Sequence, residues 1–503
     1  LLMRGELVTL LGWLAPVPDE AIDARPWLAI YHAWALLLTG QTDAVEPRLQ
    51  AAERSEIKER RSEMLGHATA IRAYLAALQR DVPHAIELAQ EALALLPKDE
   101  LVVRGVVSFT LGGACLMHGD ASGASQAFAK AGAIGQAAGN IHLAVPAMSR
   151  LAELKIEQGH LHQAAQVLQQ AMDLVTRPDG RPLPVAAQPH SGMGDLLYEW
   201  NDLDAALQHL RKSVELGRQW GNADALAADY CGLARVHQAQ GPAEQALDAL
   251  QEAEQLVRER EPSPLMVAQV AAHRARLMLS QGDLTAATRW AASREAELCA
   301  DEEPEYMREF EYLTLVRILI ARGRYDEALN MLERLLETAE RGGRMGRAIG
   351  ILVLQALAFQ ALGRNDQAAA MLERALSLAE PEGYVRTFLD EGEPMVELLR
   401  RAAAQGIAVE YARKLLIAFD AWEIERVRED RPAAHTPALV EPLSDRELEV
   451  LRLVAAGLTN REIAKELVIA VSTVKSHTNH IYGKLGVKNR TQAVAQARAL
   501  GLF

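Results

Sequence analysis

Apolar residues recur along the first 380 positions of the chain with a period of about forty. One alanine marks each of nine copies, at spacings of 39 to 41 residues: Ala44, Ala85, Ala124, Ala164, Ala205, Ala246, Ala287, Ala328 and Ala368. A glycine precedes the alanine by five residues in the six clearest copies: Gly119, Gly159, Gly241, Gly282, Gly323 and Gly363. Trp200 replaces this glycine in one copy, and Gly40 lies one place late in the first. A repeat of this length is typical of stacked supersecondary units.

Each copy has one apolar stretch before the glycine and another after it, as residues 225–240 and 243–257 show around Gly241. Glycine can adopt the left-handed conformation that ends a helix, and acidic residues such as Asp202, Asp326 and Glu327 favour the start of the next. The pattern therefore predicts that each copy is a helical hairpin.

The positions four and seven residues after the alanine are small or apolar in several copies, which places them on one helical face. These pairs are Ala89/Ala92, Phe128/Ala131, Leu168/Ala171, Leu250/Ala253 and Leu372/Ala375. A single hairpin cannot bury such a face, so neighbouring hairpins must stack into a superhelix with a continuous core and a concave surface. We predict an all-α fold in which most of these residues pack rather than bind a ligand.

The spacing and the small positions resemble the tetratricopeptide repeat, although the period exceeds the roughly thirty-four residues of that family. The resemblance implies a sensor or interaction domain of about nine hairpins over residues 1–380. Residues 381–429 are predicted to form a helical connecting segment. Residues 430–442 contain three prolines and no apolar periodicity, so we predict a linker there and a separate domain over 443–503.

Four short helices are predicted in residues 443–503. Two begin with a capping box, Ser444 with Glu447 and Thr459 with Glu462. The third is expected from Ser472 or Thr473 to Gly486, and the fourth from about 489–491 to Leu500. The expected core consists of Leu448, Leu451, Val454, Leu458, Ile463, Ala464, Leu467, Val474, Ile481, Leu485, Val487 and Val494.

The other face of the third helix carries only polar side chains: Lys475, Ser476, Asn479, His480 and Lys484. A helix fits the major groove of DNA, where lysine can donate to guanine and asparagine can pair with adenine. Two helices joined by a short turn are the arrangement that places the second helix in that groove. The sequence therefore predicts that this face contacts bases.

Residues 443–503 closely resemble the LuxR/FixJ-type helix-turn-helix. The matching segments read LSDRELEVL at 443–451, GLTNREIA at 457–464, TVKSH at 473–477 and KLGVKNRT at 484–491. The resemblance implies base contacts from Lys475, Ser476 and Asn479. It also implies backbone or structural contacts near phosphate from a second set: Thr459, Asn460, Lys488 and Arg490. Thr473, at the start of the third helix, is a further candidate DNA-binding residue. Ala470 departs from the family, which usually has serine there, and this weakens the expected helix cap and slightly lowers the expected affinity.

The repeat array resembles the sensor half of MalT-like regulators, with residues 27–41 and 382–394 typical of that group. Those regulators combine an N-terminal signal-transduction NTPase, a helical-repeat sensor and a LuxR-type C-terminus. A phosphate-binding loop is not found in this sequence, where Gly483-Lys484 is the only Gly-Lys pair. We therefore expect a C-terminal fragment or a shortened member that lacks the NTPase, and no local signature indicates an enzyme.

Charge is distributed unevenly along the 503 residues. Residues 443–503 carry nine Lys and Arg against five Asp and Glu, a balance of +4, so the overall −14 leaves −18 on the first 442 residues. A small basic module on an acidic body is expected when only one end contacts phosphate. Cys115, Cys231 and Cys299 lie far apart and form no metal or disulfide motif, which fits a reducing cytoplasm.

Metal binding has little support. His160 and His162 flank one residue at a hairpin turn, and His477 and His480 lie on the third helix without an evident third ligand. No metal or other cofactor is expected. The chain lacks a run of eighteen apolar residues, so we expect no membrane partner.

These observations predict a sequence-specific transcriptional regulator. Its repeat domain would sense a small molecule or a protein and control assembly of the C-terminal module on promoter DNA. Self-association on DNA is expected because one such module contacts few bases, and RNA polymerase is a further candidate partner. Two alternatives stay open: an interaction adaptor with an accessory DNA-binding tail, and one effector arm of a longer, ATP-driven switch.

Overall fold

The computed structural model describes most of the chain. The described residues are 7–14, 16–54, 60–176, 182–241, 243–260, 263–300, 304–430, 444–455, 458–467 and 471–485, with positions 487, 490, 493 and 497. They divide into two compact units, Leu1–Glu423 and Ile424–Phe503, which are described separately below. None of the helices in the described ranges combines the length and apolarity that crossing a membrane needs.

Eighteen helices of the first unit pair into nine hairpins among the described residues. In chain order the pairs are α3 Pro26–Leu38 with α4 Val45–Glu53, α5 Arg61–Leu78 with α6 Val82–Leu95, α7 Leu101–Met117 with α8 Ala121–Ala137, α9 Ile141–Glu157 with α10 Leu161–Leu174, α11 Ala187–Glu199 with α12 Leu203–Trp220, α13 Ala223–Gln240 with α14 Ala243–Glu259, α15 Pro264–Ser280 with α16 Leu284–Ala300, α17 Glu309–Ala321 with α18 Tyr325–Arg341, and α19 Met345–Ala361 with α20 Asn365–Ala379. The prediction of an all-helical repeat is confirmed.

The remaining helices flank the hairpins or follow them. These are α1 Leu7–Leu14, α2 Asp19–Asp23, α21 Arg386–Leu389, α22 Glu393–Ala404, α23 Val409–Asp430, α24 Asp445–Ala455, α25 Asn460–Glu466 and α26 Val471–Leu485. Short 3-10 turns lie at Thr42–Ala44, Pro184–Ala186, Tyr306–Arg308 and Glu380–Glu382.

The first helix of each hairpin ends at a residue with positive φ. The nine residues are Gly40, Arg80, Gly119, Gly159, Asn201, Gly241, Gly282, Gly323 and Gly363. At a typical turn the N–H of Asp120 bonds to the carbonyl of Cys115, which closes the helix end. The Asp120 carboxylate then accepts the N–H of Gly123 and so begins the second helix of that hairpin.

The residue five positions after each of these turns lies in the core with at most 1% of its surface exposed. The set is Val45, Ala85, Ala124, Ala164, Ala206, Ala246, Ala287, Ala328 and Ala368. The paired positions four and seven residues after the marker alanine in the sequence analysis are buried too, as Leu168, Ala171, Leu372 and Ala375 illustrate. Residues without a large side chain let the two helices of a hairpin approach closely.

Two predicted markers were wrong by one residue. Ala44 is exposed and Val45 is the buried residue of the first hairpin, which fits the position of Gly40. In the fifth hairpin Asn201, with φ 63°, takes the left-handed conformation, so Ala206 is buried and Ala205 only half-buried. Asparagine tolerates this conformation better than tryptophan does, which explains why Trp200 is not the turn residue.

A segment following the ninth hairpin, residues 380–391, packs against the hairpins, and we call it the strap. The N–H of Val385 donates to the carbonyl of Glu199 at 3.0 Å, and the N–H of His162 donates to Glu382 at 2.9 Å. Phe388 and Leu389 of the strap are fully buried. The strap therefore ties the fourth and fifth hairpins to the end of the array.

The fourth hairpin also contacts the ninth directly. A side chain at Gly346, near the start of α19, would meet the carbonyl oxygen of Ile156 at 2.3 Å. The Tyr384 hydroxyl of the strap donates to the same carbonyl at 3.2 Å. Only glycine permits this approach, so the array of the first unit closes on itself between α9 and α19.

In the second unit, α24 and α25 pack on α26. Among the described residues, the buried apolar residues of this unit are Val450, Leu451, Val454, Ile463, Ala464, Val474, Ile481, Ala493 and Ala497. Val450, Ala493 and Ala497 were not predicted as core. Four predicted core residues are only half-buried: Leu448, Leu458, Leu467 and Val487. Leu485 and Val494 lie outside the residues whose side chains are described. α26 begins at Val471, one or two residues earlier than expected, so Ser472 and Thr473 lie within its first turn.

Candidate nucleic-acid interface and cavity

The turn before α25 is fixed by a capping box at Thr459 and Glu462. The Glu462 carboxylate accepts the Thr459 N–H at 2.6 Å and its hydroxyl at 2.8 Å, and the Glu462 N–H donates back to the hydroxyl at 3.4 Å. The bonds from Thr459 lower the pKa of Glu462. Asn460, the first residue of α25, is half-buried, whereas Thr459 is exposed. The predicted cap is confirmed.

α26 has one buried and one exposed face. Val474, Thr478 and Ile481 are buried, and the Thr478 hydroxyl donates to the carbonyl of Val474 at 2.7 Å, so this polar side chain is satisfied inside. The exposed face consists of Thr473, Lys475, Ser476, Asn479 and His480, and we call it the α26 face. His477 lies half-buried beside it.

The α26 face has the polar groups that base edges require. Within the described part of the chain, no hydrogen bond or ion pair engages the side chains of Lys475, Ser476 or Asn479. Their donors and acceptors can therefore bind another molecule without first breaking contacts inside the protein. The side chains stand on a regular helix that is anchored by its buried face, so their spacing is preorganised.

Lys484 is turned toward the body of the module. Its ammonium group lies 2.9 Å from the Glu447 carboxylate, which also accepts the N–H and the hydroxyl of Ser444. Burial alone would raise the pKa of Glu447, but the bonds from Lys484 and Ser444 lower it to about 2. This ion pair joins the start of α24 to the end of α26. Lys484 is half-buried and does not belong to the α26 face.

Arg490 has a similar position at the opposite end of α24. Its guanidinium donates to the Val454 carbonyl at 2.6 Å, which satisfies one of the unpaired carbonyls at the end of that helix. Arg446 donates to the Leu467 carbonyl at 2.9 Å and so holds the end of α25. Lys488, the remaining residue of the predicted interface, lies outside the described residues.

The first unit contains a cavity of about 1120 Å³ between hairpins six to nine and the strap. Its wall combines apolar side chains such as Leu279 and Ile320 with the charged side chains of Arg276, Arg317 and Asp390. This mixture is common in ligand-binding sites, and the volume slightly exceeds that of ordinary small-molecule pockets.

Arg386 of the strap forms the most buried charged group beside this cavity. It is 2% exposed, bonds to Asp390 through two nitrogens, and donates to the side-chain oxygen of Asn201 at 3.3 Å. Its guanidinium also lies over the rings of Tyr198 and Trp422, 5.4 and 5.1 Å from their centroids. Arg386 therefore joins the strap to α11 and α23.

Sequence reasoning missed this cluster. Tyr198 and Asp390 are 192 residues apart, and their hydrogen bond of 2.7 Å could not be anticipated from any local motif. The predicted histidine pair at the fourth hairpin has a structural place instead: His162 packs on Trp200 with ring centroids 5.2 Å apart. Trp200 itself donates to the carbonyl of Glu382 at 3.0 Å and helps to hold the strap.

One group of potential metal ligands comes together in the described part of the chain, with single atoms of Glu63, His67 and Glu100 within 4.8 Å of one another. Arg60 donates to both carboxylate oxygens of Glu63. The indole of Trp34 donates to Nδ1 of His67 at 3.3 Å, which leaves the ring proton on Nε2. Burial lowers the pKa of His67 to about 4. An ion pair beside a buried, neutral histidine accounts for this group, and we assign it no metal.

Comparisons with known proteins agree with both units. The family profile of the MalT-like TPR region matches residues 66–405, and that of the luxR family of bacterial regulatory proteins matches residues 441–497. These matches confirm the resemblances that the repeat and the C-terminal motifs indicated.

Two relatives match nearly the whole chain. The HTH-type transcriptional regulator MalT of Yersinia enterocolitica is 27% identical, and that of Serratia proteamaculans is 26% identical, each over 515 residues. Both alignments cover 99% of this chain and 56% of the relative, so the chain spans about half the length of the curated relatives it matches.

Two solved structures share the fold of the first unit. A Rap protein complexed with Competence and Sporulation Factor has a TM-score of 0.53 at 16% identity. NprR in complex with its cognate peptide NprX has a TM-score of 0.51 at 13% identity. Each match covers 72% of this chain and 99% of the other. At these identities the likeness concerns the fold alone.

Proposed function

The chain belongs to the family of the MalT-like TPR region and ends in a module of the luxR family of bacterial regulatory proteins, and from this premise we propose that it regulates transcription by binding promoter DNA. The C-terminal module reads the sequence of a DNA site. The repeat unit binds an effector, a small molecule or a protein, and thereby controls assembly of the module on DNA. This role is non-catalytic and belongs in the bacterial cytoplasm.

The α26 face is the observation that carries the proposal. Lys475 and Asn479 lie one helical turn apart, both exposed and both without partners in the described part of the module. In a major groove the lysine would donate to guanine O6 or N7, and the asparagine would form two bonds with adenine. Ser476 and His480 supply further polar groups beside them, and we propose that Thr473, Thr459 and Asn460 contact the DNA backbone.

Lys484 and Arg490 have a different role in this proposal. Both side chains bond to α24, through Glu447 and the Val454 carbonyl respectively, and so hold the end of α26 and the residues after it against α24. We propose that they position the reading helix rather than contact bases. Lys488 stays a candidate for a phosphate contact on sequence grounds alone.

A binding titration on duplex DNA tests the proposal. The full chain should bind a selected duplex with an affinity that falls steeply as salt rises, because phosphate neutralisation releases counterions. Lys475→Ala combined with Asn479→Ala should reduce the preference for that duplex over a scrambled one by tenfold or more, since each good base contact contributes about 1–3 kcal/mol.

Arg452→Ala is the matched control for this experiment. Arg452 is an exposed cation of α24, outside the α26 face, so its loss should weaken binding to both duplexes equally and leave the preference unchanged. Equal preference in the double variant and in the wild type would remove the α26 face from the reading role.

The cavity of the first unit is the proposed effector site. It is large enough for a small molecule or part of a peptide, and the strap and α22 contribute to its wall as well as the hairpins. An effector there would contact both the array and the segment that leads toward α23. Ala321→Trp combined with Ala361→Trp, two exposed positions on the wall, should abolish the response of DNA binding to effector while basal DNA binding persists.

Self-association is part of the proposed mechanism, because one module offers few base contacts and useful affinity requires paired half-sites. RNA polymerase is the partner that an activator would contact.

The alternative function is an interaction adaptor whose main ligand is a protein bound by the repeats. A chain of residues 1–430 that binds a defined protein partner as tightly as the full chain, with no effect of DNA, would favour the adaptor.

A further inference from the structure

Two half-buried arginines, Arg276 and Arg317, line the cavity beside Asp390 and Glu391, and we call this part its inner end. The two cations are neutralised to different degrees. Arg317 donates two bonds to Glu391, at 2.6 and 3.0 Å, and one to the Leu313 carbonyl at 3.2 Å. Arg276 makes only one hydrogen bond in the described part of the chain, of 3.3 Å to Asp390. A guanidinium has five N–H donors, so most donors of Arg276 are left for water or a ligand.

Asp390 cannot neutralise Arg276 fully because it is shared. One of its oxygens accepts both bonds from Arg386. The other oxygen accepts the Tyr198 hydroxyl at 2.7 Å as well as the bond from Arg276 at 3.3 Å. Burial and the nearby charge of Arg317 lower the pKa of Arg276, and the carboxylates of Asp390 and Glu391 offset this lowering only in part. The weakly compensated cation is therefore Arg276.

The charged groups at this end include one more cation than anion, so a bound anion would balance them. Three guanidiniums, those of Arg276, Arg317 and Arg386, meet the two carboxylates of Asp390 and Glu391. Burial raises the pKa of the neighbouring Glu199 to about 7, so it carries only part of a charge near neutral pH.

The exposed part of the wall around Arg400 and Arg401, which we call the outer end of the cavity, differs in how its cations are paired. There Arg400 lies 3.5 Å from Glu393, and Arg401 pairs with Glu397, so each cation has its own carboxylate. The cations at the outer end are therefore paired one to one, whereas at the inner end Arg276 shares its carboxylate with Arg386.

Part of the cavity wall is apolar. Leu279 and Ile320 line the same cavity, and so do Leu354 and Leu357 of α19. Polar side chains such as Gln238, Ser280 and Gln360 line the cavity as well. A ligand that combines an anionic group with an apolar body would use both the inner cation and the apolar part of the wall.

We propose that this cavity binds a small organic anion, whose carboxylate or phosphate is held by Arg276 and whose apolar part lies against α17 and α19. The inference rests on the proposed effector site and adds the chemical class of the effector. The guanidinium can donate two parallel bonds to either anionic group, and it is already oriented by Asp390.

Two fluorescent probes with the same ring system test this inference on the full chain. The first is 8-anilinonaphthalene-1-sulfonate, an anion, and the second is N-phenyl-1-naphthylamine, which lacks the sulfonate. The wild type should bind the anionic probe at least tenfold more tightly than the neutral one. Arg276→Gln should abolish that difference by weakening the anionic probe alone, and Arg276→Lys should restore part of it.

Competition distinguishes the two anion classes. Benzoate and phenyl phosphate should each displace the anionic probe, whereas neutral benzamide should not. The competitor that binds more tightly identifies the preferred anionic group. Arg274→Gln removes a cation of the same helix, α15, that pairs with Glu254 and does not line the cavity. It is the matched control and should leave both probes unaffected. Melting temperatures establish that each variant is folded.

The outcomes separate this inference from the effector site itself. If Ala321→Trp with Ala361→Trp leaves both probes bound as in the wild type, the cavity is not the site and both proposals fail. If that variant blocks both probes but Arg276→Gln and Arg276→Lys leave the anion preference unchanged, or if benzamide competes as well as benzoate, the anionic class is overturned while the effector cavity stands.

Discussion

A buried carboxylate at the start of α24 organises the C-terminal module. Glu447 is 4% exposed and accepts bonds from the Ser444 backbone and hydroxyl and from Lys484, which comes from the far end of α26. The capping box with Ser444 was evident in the sequence, since the spacing of its two residues is local. The ion pair with Lys484 was not, because 37 residues separate the partners.

Glu447 makes the module sensitive to acid. Its pKa is about 2 in the folded chain against 4.5 for the ordinary side chain, so the ionised form stabilises the fold above about pH 4.5. That stabilisation should be lost progressively as the pH falls from 4.5 toward 2. Hydrogen exchange of α26 amides in the full chain should show faster opening at pH 3 than at pH 5.

Glu447→Gln should remove this pH dependence and weaken the module at neutral pH by about 2 kcal/mol, because Lys484 loses its charged partner. Glu449→Gln is the matched control, since Glu449 is exposed and its partner among the described residues is Arg446 on the same helix. An α26 opening rate in Glu447→Gln that equals the wild type at pH 7 would show that the pair does not hold the helix.

At the scale of the element, the sequence predicted the period of the repeat correctly, but it did not predict the register of every hairpin. Seven of the nine predicted alanines are the buried residues of their hairpins. The other two, Ala44 and Ala205, have a second candidate immediately after them, Val45 and Ala206, so the apolar pattern alone could not choose. The choice is made by the turn, where Gly40 and Asn201 adopt positive φ and set the following helix.

The fifth hairpin tests this register directly. Ala206→Leu should destabilise the first unit by about 1–3 kcal/mol, because Ala206 is fully buried between helices and a larger side chain overpacks the site. Ala205→Leu, one residue earlier and half-buried, should cost clearly less. Thermal unfolding of the two variants checks the prediction. A larger loss of stability for Ala205→Leu would mean that Ala205 is the buried residue, as the sequence pattern predicted.

At the scale of the whole molecule, the strap is the feature that sequence could not supply. A helical connecting segment was expected after the ninth hairpin, and residues 393–404 and 409–430 are indeed helical. The contacts of the strap with Glu199, Tyr198 and Ile156 join residues 186 to 228 positions apart. Such contacts follow from how the hairpins stack, and no local pattern encodes them.

Arg386 should be the anchor of the strap. Arg386→Gln removes a buried cation and leaves Asp390 with fewer partners, and breaking a buried pair in this way costs about 3–5 kcal/mol. Hydrogen exchange at Val385 and Thr387, whose amides bond to Glu199, should quicken in this variant and stay as in the wild type in Arg400→Gln. Unchanged protection in Arg386→Gln would mean that apolar packing alone holds the strap.

The central claim is that the α26 face reads DNA, and selection of binding sites from a pool of randomised duplexes tests it most directly. The full chain should enrich one short motif, present as paired half-sites. Asn479→Ala should return the same motif with the preference lost at a single base pair in each half-site, because one side chain reads one position. If Asn479→Ala, and likewise Lys475→Ala, enrich a motif identical to the wild type at every position, or if the full chain enriches no motif, the claim is contradicted.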